Sequence, residues 1–451
     1  MLDSVIILQG KYLYDYPACL TNFAGRLCSY DYVGYLGTHM NSIRIMHFAD
    51  VHFGIEGYGK TDPTTGLNTR LTDFRNALNA AIDKALAAGI HAALFAGDAY
   101  KSRDPSQTHQ REFASCIRRL TDAGVPVVMI TGNHDLPNAK GRANAIEIYR
   151  TLAIDNVYVI TSPEVIKLDT KAGPFQVAGI PYLLRSNVLS REQLRNKTIQ
   201  ETTDLMVEKY ADYIGYLSRQ LDSTIPSVLM AHFWIKNAKV SSQGGYLNVA
   251  EPEVLVSTVA NPAFDYAAMG HIHKFQDLNK RGQPPVVYSG SIERTDFSEC
   301  NEDKGFVLVE LAKGATTYEF VPIPTRRFVD IEVDADVDKP TERIVREIEK
   351  AQVENAVVKV KYTISQDRLP LVRDADIRNA LSKAHTVVSV AQDVIRTTQS
   401  VRNRLLSESL EPIQALEMYI DSSEELRKRK AELIEYARPL MDELLAEEQV
   451  I

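Results

Sequence analysis

Cysteine is scarce and scattered in this sequence: Cys19, Cys28, Cys116 and Cys300 are the four in 451 residues. No Cys-x-x-Cys occurs. Neither a disulfide framework nor a thiolate zinc site is suggested, and the pattern fits a reducing, intracellular compartment. Long apolar runs are missing as well. No stretch reaches the roughly 18 residues that a membrane span needs. Residues 1–39 lack the basic start, apolar core and cleavage site of a signal peptide. There is no internal repeat and no low-complexity tract. Positive charge is in short supply, with 51 Lys and Arg against 59 Asp and Glu, for a formal charge of −8. The global basic face usual in nucleic-acid binders is therefore absent. Any phosphate chemistry falls to a local basic strip or a metal site.

What is present is an ordinary globular profile, 45% hydrophobic and 24% charged, with enough apolar surface for a sizeable core. The length is a prior for two to four domains. The first 39 residues show no sustained helix or strand period, whereas "MNSIRIMHFADVHFG" begins like a fresh protein start. Met40 is expected to be the natural initiator, with residues 1–39 a translated upstream region or a poorly ordered extension. From Ile43 the pattern alternates. "IRIMHFA", "HAALFAG" and "VPVVMITG" read as buried strands. "RLTDFRNALNAAIDKALAAG", "PSQTHQREFASCIRRLTDAG" and "GRANAIEIYRTL" read as helices. Such alternation predicts an α/β fold, a sheet with parallel strands covered by helices. "PSVLMAHF", "FDYAAMGHIHKF", "PVVYSGSIERTDFSE" and "KGFVLVEL" supply further strands.

After Arg326-Arg327 the character changes. "FVDIEVD", a helix near Thr341–Gln352, "NAVVKVKYTI", a helix near Asp374–Ala384 and "TVVSVAQDVI" predict a small α/β module. Residues 401–411 read as a linker. The tail reads as two helices. The first places Ile413, Leu416, Tyr419 and Ile420 on one apolar face; the second carries a stripe of Leu426, Leu433, Leu440 and Leu444 interrupted by Pro439. The expected domains are 1–39, 40–325, 326–400 and 401–451.

Ligands of open α/β sheets sit beyond the carboxyl ends of the strands, and polar clusters occupy that place here: "ADVHFG", "AGDAYKS" and "TGNHDLP". Of ten histidines, five fall at strand ends: His52, His134, His232, His271 and His273. Asp50, Asp98, Asn133 and Asp135 join them. Taken alone, "TGNHDLP" is an ordinary turn, since Gly, Asn and Asp are turn formers; repeated at successive strand ends, the pattern needs a chemical reason. Two divalent ions about 3.5–4 Å apart can clamp the attacking and leaving oxygens of a phosphoester. Their mutual repulsion calls for a bridging anion, which one Asp can provide. Mixed imidazole and carboxylate ligands suit manganese, iron or zinc better than magnesium or calcium. A histidine beside the ions can protonate the leaving alkoxide, and a neighbouring carboxylate would orient it and raise its pKa.

The order Asp-x-His, Gly-Asp, Gly-Asn-His-Asp, a single His and Gly-His-x-His resembles that of the calcineurin-like metallophosphoesterases over about Ile43 to Val309. The resemblance implies a β-sandwich flanked by helices. It implies that Asp50, His52 and His273 hold one metal, that Asn133, His232 and His271 hold the other, and that Asp98 bridges. It makes His134 the general acid, paired with Asp135; His52 is also suited to positioning the scissile group. Protein phosphatases of this superfamily carry Gly-Asp-x-x-Asp-Arg-Gly, where this chain has "GDAYKSRDPS". That stretch is similar to the nuclease subunit of the double-strand-break repair complex, called SbcD in bacteria. So is the run Tyr288, Gly290, Ser291, Arg294, Phe297, Glu299, Lys304 and Gly305. "RRF" at 326–328 resembles the start of that family's capping module, and the tail resembles the segment that clasps a partner's coiled coil. Tyr100 replaces the commoner Phe, and the extension before Ile43 departs from the family pattern.

The resemblance implies a cytoplasmic, nucleoid-associated enzyme using two Mn2+ or other divalent transition ions. It implies a double-strand exonuclease and single-strand or hairpin endonuclease acting in double-strand-break repair. The implied partners are DNA and an SbcC-type ABC ATPase with a coiled coil, in a heterotetramer built on a homodimer, with no membrane. Lys101, Ser102, Arg103 and Arg294 are candidate phosphate contacts; a solvated loop and a structural ion pair explain them equally well. Two other readings share the same residues: a small-substrate phosphodiesterase, and a non-catalytic scaffold for the ATPase.

Overall fold

The computed structural model describes residues 42–137, 142–241, 251–280, 282–395, 412–422 and 424–448. The extension at 1–39 and the linker at 401–411 lie outside the described residues. The chain divides into Met1–Met40 and Asn41–Ile451, and the features below all belong to the second unit.

The three expected apolar strands form: β1 (Ile43–Phe48), β2 (Ala92–Phe95) and β3 (Val127–Ile130) lie parallel, followed by β4 (Val157–Ile160). On the far side of β1, β13 (Gly305–Leu311) pairs antiparallel and β14 (Thr317–Pro322) closes the edge. The crossover helices are α1 (Thr69–Ala87) and α2 (Gln107–Asp122). Each begins after a side-chain cap: Asn68 accepts from the Arg70 N–H and Ser106 from the His109 N–H, satisfying donors that a first turn leaves open. The stretch "GRANAIEIYRTL" yields only a short helix, α3 (Glu147–Thr151), which has no side-chain cap at Ile146.

Residues 157–218, where periodicity assigned nothing, supply β4, β5 (Glu164–Thr170), β6 (Gly173–Ile180) and the helix α4 (Ile199–Ser218). The α4 helix opens on a capping box between Thr198 and Glu201, a start signal legible in the sequence. The second sheet also contains β7 (Ser227–His232), β10 (Tyr266–Gly270), β11 (Gln276–Asp277) and β12 (Val286–Tyr288), in the order β11-β12-β10-β7-β6-β5. Among the described residues the two six-stranded sheets face one another. Ile45, Leu94 and Val128 from one sheet meet Val177, Val228 and Ala268 from the other. Successive strand residues point to opposite faces, so Met46 and Phe95 pack instead against Phe74, Leu78 and Phe113 of α1 and α2. Leu229 and Met269 likewise pack against Met206, Tyr210 and Leu217 in and around α4. The architecture is a β-sandwich between helical layers. Burial on both faces is why these strands read as continuous apolar runs.

A three-stranded parallel sheet follows, made of β15 (Phe328–Asp334), β16 (Val357–Ser365) and β17 (Thr386–Ile395). The helices α5 (Pro340–Lys350) and α6 (Asp374–Ala380) supply Ile344, Ile348 and Ile377 to its own core. It meets the sandwich at a buried charge network. Arg70 is fully buried, bonds Asp73 at 2.9 Å and donates to the Arg294 carbonyl at 2.5 Å. Arg326 grips the same Asp73 carboxylate with two bonds of 2.6 Å each. The Tyr58, Phe297 and Phe328 rings pack beside it.

The tail contains α7 (Pro412–Ser422) and α8 (Lys430–Glu448). Two details differ from expectation. Pro439 lies inside α8 without ending it, and Leu426 belongs to a separate turn, Glu424–Arg427. Ile420 is buried while Tyr419 is exposed, so the two do not share a covered face. No helix among the described residues is long and apolar enough to cross a membrane.

Removing Asp73 strands two arginines at the junction. Asp73→Ala is expected to cost roughly 3–5 kcal/mol, read as a lower urea midpoint. An unchanged midpoint would show that Arg70 and Arg326 do not depend on this carboxylate.

Candidate metal centre

The parallel strands of both sheets run into one seam. The seam gathers Asp50 and His52 after β1, Asp98 after β2, Asn133 and His134 after β3, His232 at the end of β7, and His271 and His273 after β10. The backbone there is unusually tight. A Cβ on Gly132 would fall 2.1 Å from the Asp98 Oδ1, and one on Gly270 would fall 2.1 Å from the Ala96 carbonyl oxygen. Only glycine fits these two approaches. Asp50, His52, Asp98 and His271 adopt positive φ angles of 52°, 50°, 61° and 101°, a conformation that costs energy outside glycine. Hydrogen bonds over-determine it: the N–H groups of Val51 and His52 donate to the Asp98 carbonyl at 2.9 and 3.1 Å.

Asp135 organises the turn, and it corrects an expectation. Its fully buried carboxylate does not touch His134. It accepts from the N–H groups of Asp98 (2.8 Å), Ala99 (3.0 Å), Tyr100 (3.4 Å) and Gly132 (2.9 Å). His134 is oriented instead by the Lys101 carbonyl, 3.0 Å from its Nδ1. The carboxylate cannot serve both, because its two oxygens are directed at backbone donors. Burial, and then the adjacent Asp98, push the Asp135 carboxyl upward, against the pull of its N–H partners. Burial likewise holds His134 below the ordinary imidazole value, with Asp98 pulling the other way; the expected rise is not found.

The seven expected ligand residues come together in two lobes. In one, the Nε2 atoms of His52 and His273 face each other at 2.9 Å, and the His52 Nε2 lies 3.9 Å from the Asp50 Oδ1. In the other, the Asn133 Oδ1 is 3.1 Å from both the His232 Nε2 and the His271 Nδ1. The Asp98 Oδ2 stands between them, 3.7 Å from the His52 Nε2 and 3.4 Å from the His232 Nε2. Asp50, His52, Asp98 and His232 are buried, so His52 sits among the ligands and does not face open solvent. Burial opposes charge on His232, yet Asp98 outweighs it and lifts the imidazole to about 9.

The ring nitrogens are prepared for a cation. The His232 Nδ1 lies 2.7 Å from the Ala96 carbonyl, which can only accept, so Nδ1 keeps its proton and Nε2 is the nitrogen that faces the lobe. The His273 Nδ1 is held by the Glu299 Oε1 at 2.7 Å, and burial of that carboxylate is outweighed by Lys304 and His273, which hold Glu299 well below the usual range. Converging imidazole nitrogens and carboxylates, buried beside one another, fit divalent transition ions, which would displace the proton that Asp98 favours on His232. Glu299 is a contributor that sequence reasoning quoted without a role. Its sequence signal is the spacing to Lys304, whose Nζ lies 2.8 Å from the Glu299 Oε2. Glu251, whose Oε1 is 3.0 Å from the His271 Nε2, had no signal in any motif.

The proposed phosphate contacts divide. Lys101, Ser102 and Arg103 are exposed, beside His134. Arg294 is not placed to meet a ligand. Its guanidinium bonds the Glu299, Arg326 and Glu302 carbonyls at 3.2, 3.3 and 2.7 Å and the Thr325 hydroxyl at 2.6 Å. Its donors are engaged within the fold, and its part is structural.

A family model described as calcineurin-like phosphoesterase matches residues 43–275. The DNA double-strand break repair protein Mre11 of Haloferax volcanii is 26% identical over 323 residues, covering 70% of this chain and 60% of that protein. The Mre11 protein of Halobacterium salinarum is 26% identical over 345 residues, covering 75% of this chain and 76% of that one. The SbcD component of the nuclease SbcCD of Staphylococcus epidermidis is 25% identical over 272 residues, covering 60% of this chain and 67% of that one. The chain thus spans less than two thirds of the Haloferax relative.

Asp135→Asn places an amide donor against backbone N–H groups. It is expected to lower stability by roughly 1–3 kcal/mol, read as a lower thermal midpoint. An unchanged midpoint with altered catalysis would return Asp135 to the role of partner to His134.

Proposed function

The chain belongs to the calcineurin-like phosphoesterase family, and we propose that it is a metal-dependent DNA nuclease with exonuclease and endonuclease activity, acting on double-strand ends and hairpins. One observation carries the phosphoesterase chemistry: the Asp98 carboxylate lies between two imidazole lobes, 3.7 and 3.4 Å from their nearest nitrogens. Asp50, His52 and His273 would hold one ion, Asn133, His232 and His271 the second, and Asp98 both. When bound, two such ions clamp the attacking and leaving oxygens of a phosphoester and lower the pKa of water. Manganese is the ion proposed.

The chain's own residues do the rest. His134 presents the Nε2 edge of its ring, because Nδ1 is engaged with the Lys101 carbonyl and the backbone N–H, which donates to the Asp98 Oδ1 at 2.9 Å, fixes the residue in place. In hydrolysis a water oxygen bonds to phosphorus and loses a proton to solvent, the bond to the sugar oxygen breaks, and the doubly protonated form of the His134 ring gives that oxygen its Nε2 proton. Lys101, Ser102 and Arg103 contact phosphates, which positions DNA without reading sequence.

DNA as the substrate is supported by relatives whose names include double-strand break repair and nuclease. Exposed Ile148, Leu152, Ile154 and Tyr158 cluster around α3 and β4, which supports a homodimer buried there. Exposed Tyr419 and Tyr436 on α7 and α8 support a docking helix pair for an SbcC-type ABC ATPase, since aromatic residues are enriched at interfaces. The complex would work in the cytoplasm on nucleoid DNA.

The test is purified protein with end-labelled duplex DNA and manganese, with magnesium and chelator as controls. Manganese-dependent shortening supports the nuclease. Intact DNA with hydrolysis of bis-nitrophenyl phosphate hands the site to a small substrate. His134→Asn is expected to retain manganese binding by calorimetry and to lose roughly 10²–10⁴-fold in cleavage; full activity would remove His134 from the mechanism. Asp98→Ala is expected to weaken both ions, and two unchanged affinities would contradict the bridge.

A further inference from the structure

Each ligand histidine has one nitrogen facing a lobe and one facing away, and the partner of the outward nitrogen fixes the tautomer. His232 uses the Ala96 carbonyl and His273 uses Glu299. The His52 Nδ1 is buried with no hydrogen-bond partner. His271 is turned the other way round. Its Nδ1 faces Asn133 at 3.1 Å, and its outward Nε2 meets the Glu251 Oε1 at 3.0 Å.

We propose that Glu251 is a positioning residue for His271. Its carboxylate accepts a hydrogen bond from Nε2–H, which keeps the proton on Nε2 and leaves Nδ1 aimed at the second lobe. The inference rests on the metal reading above. Glu251 is well placed for this task. It lies two residues before β9 (Glu253–Val254), which pairs with β8 (Trp234–Ile235), two residues after His232. The β8–β9 pair therefore ties the Glu251 support to the chain that delivers His232. The Lys236 N–H extends the pairing with a 2.8 Å bond to the Val254 carbonyl. The side chain is only 19% exposed, and the Tyr182 hydroxyl lies 3.4 Å from the same Oε1. The Tyr182 and Trp234 rings stand 6.2 and 6.0 Å from the His271 ring, limiting its rotation. Glu251 thus stands to one lobe as Glu299 stands to the other. The two histidines of "GHIH" are gripped by carboxylates 48 positions apart in the chain.

Full-length protein stripped with chelator is titrated with Mn2+ by calorimetry, as wild type, Glu251→Ala and Glu251→Gln, with thermal denaturation in chelator alongside. Wild type is expected to bind two ions. Glu251→Ala is expected to lose about 10–100-fold in affinity for one ion, with the other affinity and the denaturation midpoint unchanged. Glu251→Gln is expected to recover much of the loss, because its amide oxygen still accepts a hydrogen bond from Nε2–H. Wild-type affinity at both sites in Glu251→Ala overturns the proposal. Weakening of both sites alike overturns it too, as does a Glu251→Gln variant no better than Glu251→Ala. Wild-type protein that binds no ion would overturn the metal reading itself, a result distinguishable from all of these.

Discussion

The Asp135 carboxylate is the constraint on which the site depends. It receives N–H groups from Asp98, Ala99 and Tyr100 on one loop and from Gly132 on another. The two loops leave neighbouring strands and would otherwise fray apart. Clamped together, they bring the Asp98 side chain against the His134 N–H and allow the approach that only Gly132 can accommodate. A buried carboxylate is costly unless it is fully hydrogen-bonded. That cost is also what makes the clamp specific, since an arrangement that withdrew these N–H donors would leave the buried carboxylate unpaired.

A second layer of order surrounds the imidazoles. Anchoring the outward nitrogen decides which nitrogen faces inward, so the rings of His232, His271 and His273 are oriented before any ion arrives. The anchors differ in kind. The backbone carbonyl at Ala96 is neutral, while Glu299 is charged and sits 2.8 Å from the Lys304 ammonium. A ligand set with partners of unequal charge can hold two similar ions with unequal strength. Both lobes offer two imidazoles beside Asp98, so these outer partners add to the difference that a carboxyl ligand, Asp50, in one lobe and an amide, Asn133, in the other already make.

The small α/β module is joined to this site by short connections. The loop that leaves His52 carries Tyr58, whose carbonyl accepts from the Thr386 hydroxyl at 2.9 Å. Thr69, at the start of α1, meets the His385 Nε2 at 3.0 Å. Arg294, Arg70 and Arg326 connect the Glu299 loop, α1 and the start of β15. A shift of the module would therefore be felt at both the His52 and the Glu299 ends of one lobe. The same cations that hold the module in place are unavailable to a phosphate, which is why Arg294 is a structural residue although it lies in a functional-looking motif.

Much of this was legible in the residues. Apolar runs marked the central strands because burial on both faces demands them, and the polar clusters after β1, β2, β3, β7 and β10 marked where a ligand would lie. Glycine before Asp98, Asn133 and His271 signalled tight backbone. Weakly periodic segments were not legible: β4, β5 and β6 alternate too little, and the α3 segment lacks a cap. The sequence also placed Asp135 beside His134, but adjacency along the chain says nothing about which way a side chain turns. Only the packing of two loops showed that Asp135 faces backbone donors and that Lys101 holds His134. Glu251 and His271 are 20 positions apart and share no motif. Their contact exists because β8 and β9 fold back beside β10, and a through-space contact of that kind leaves no local pattern in the chain.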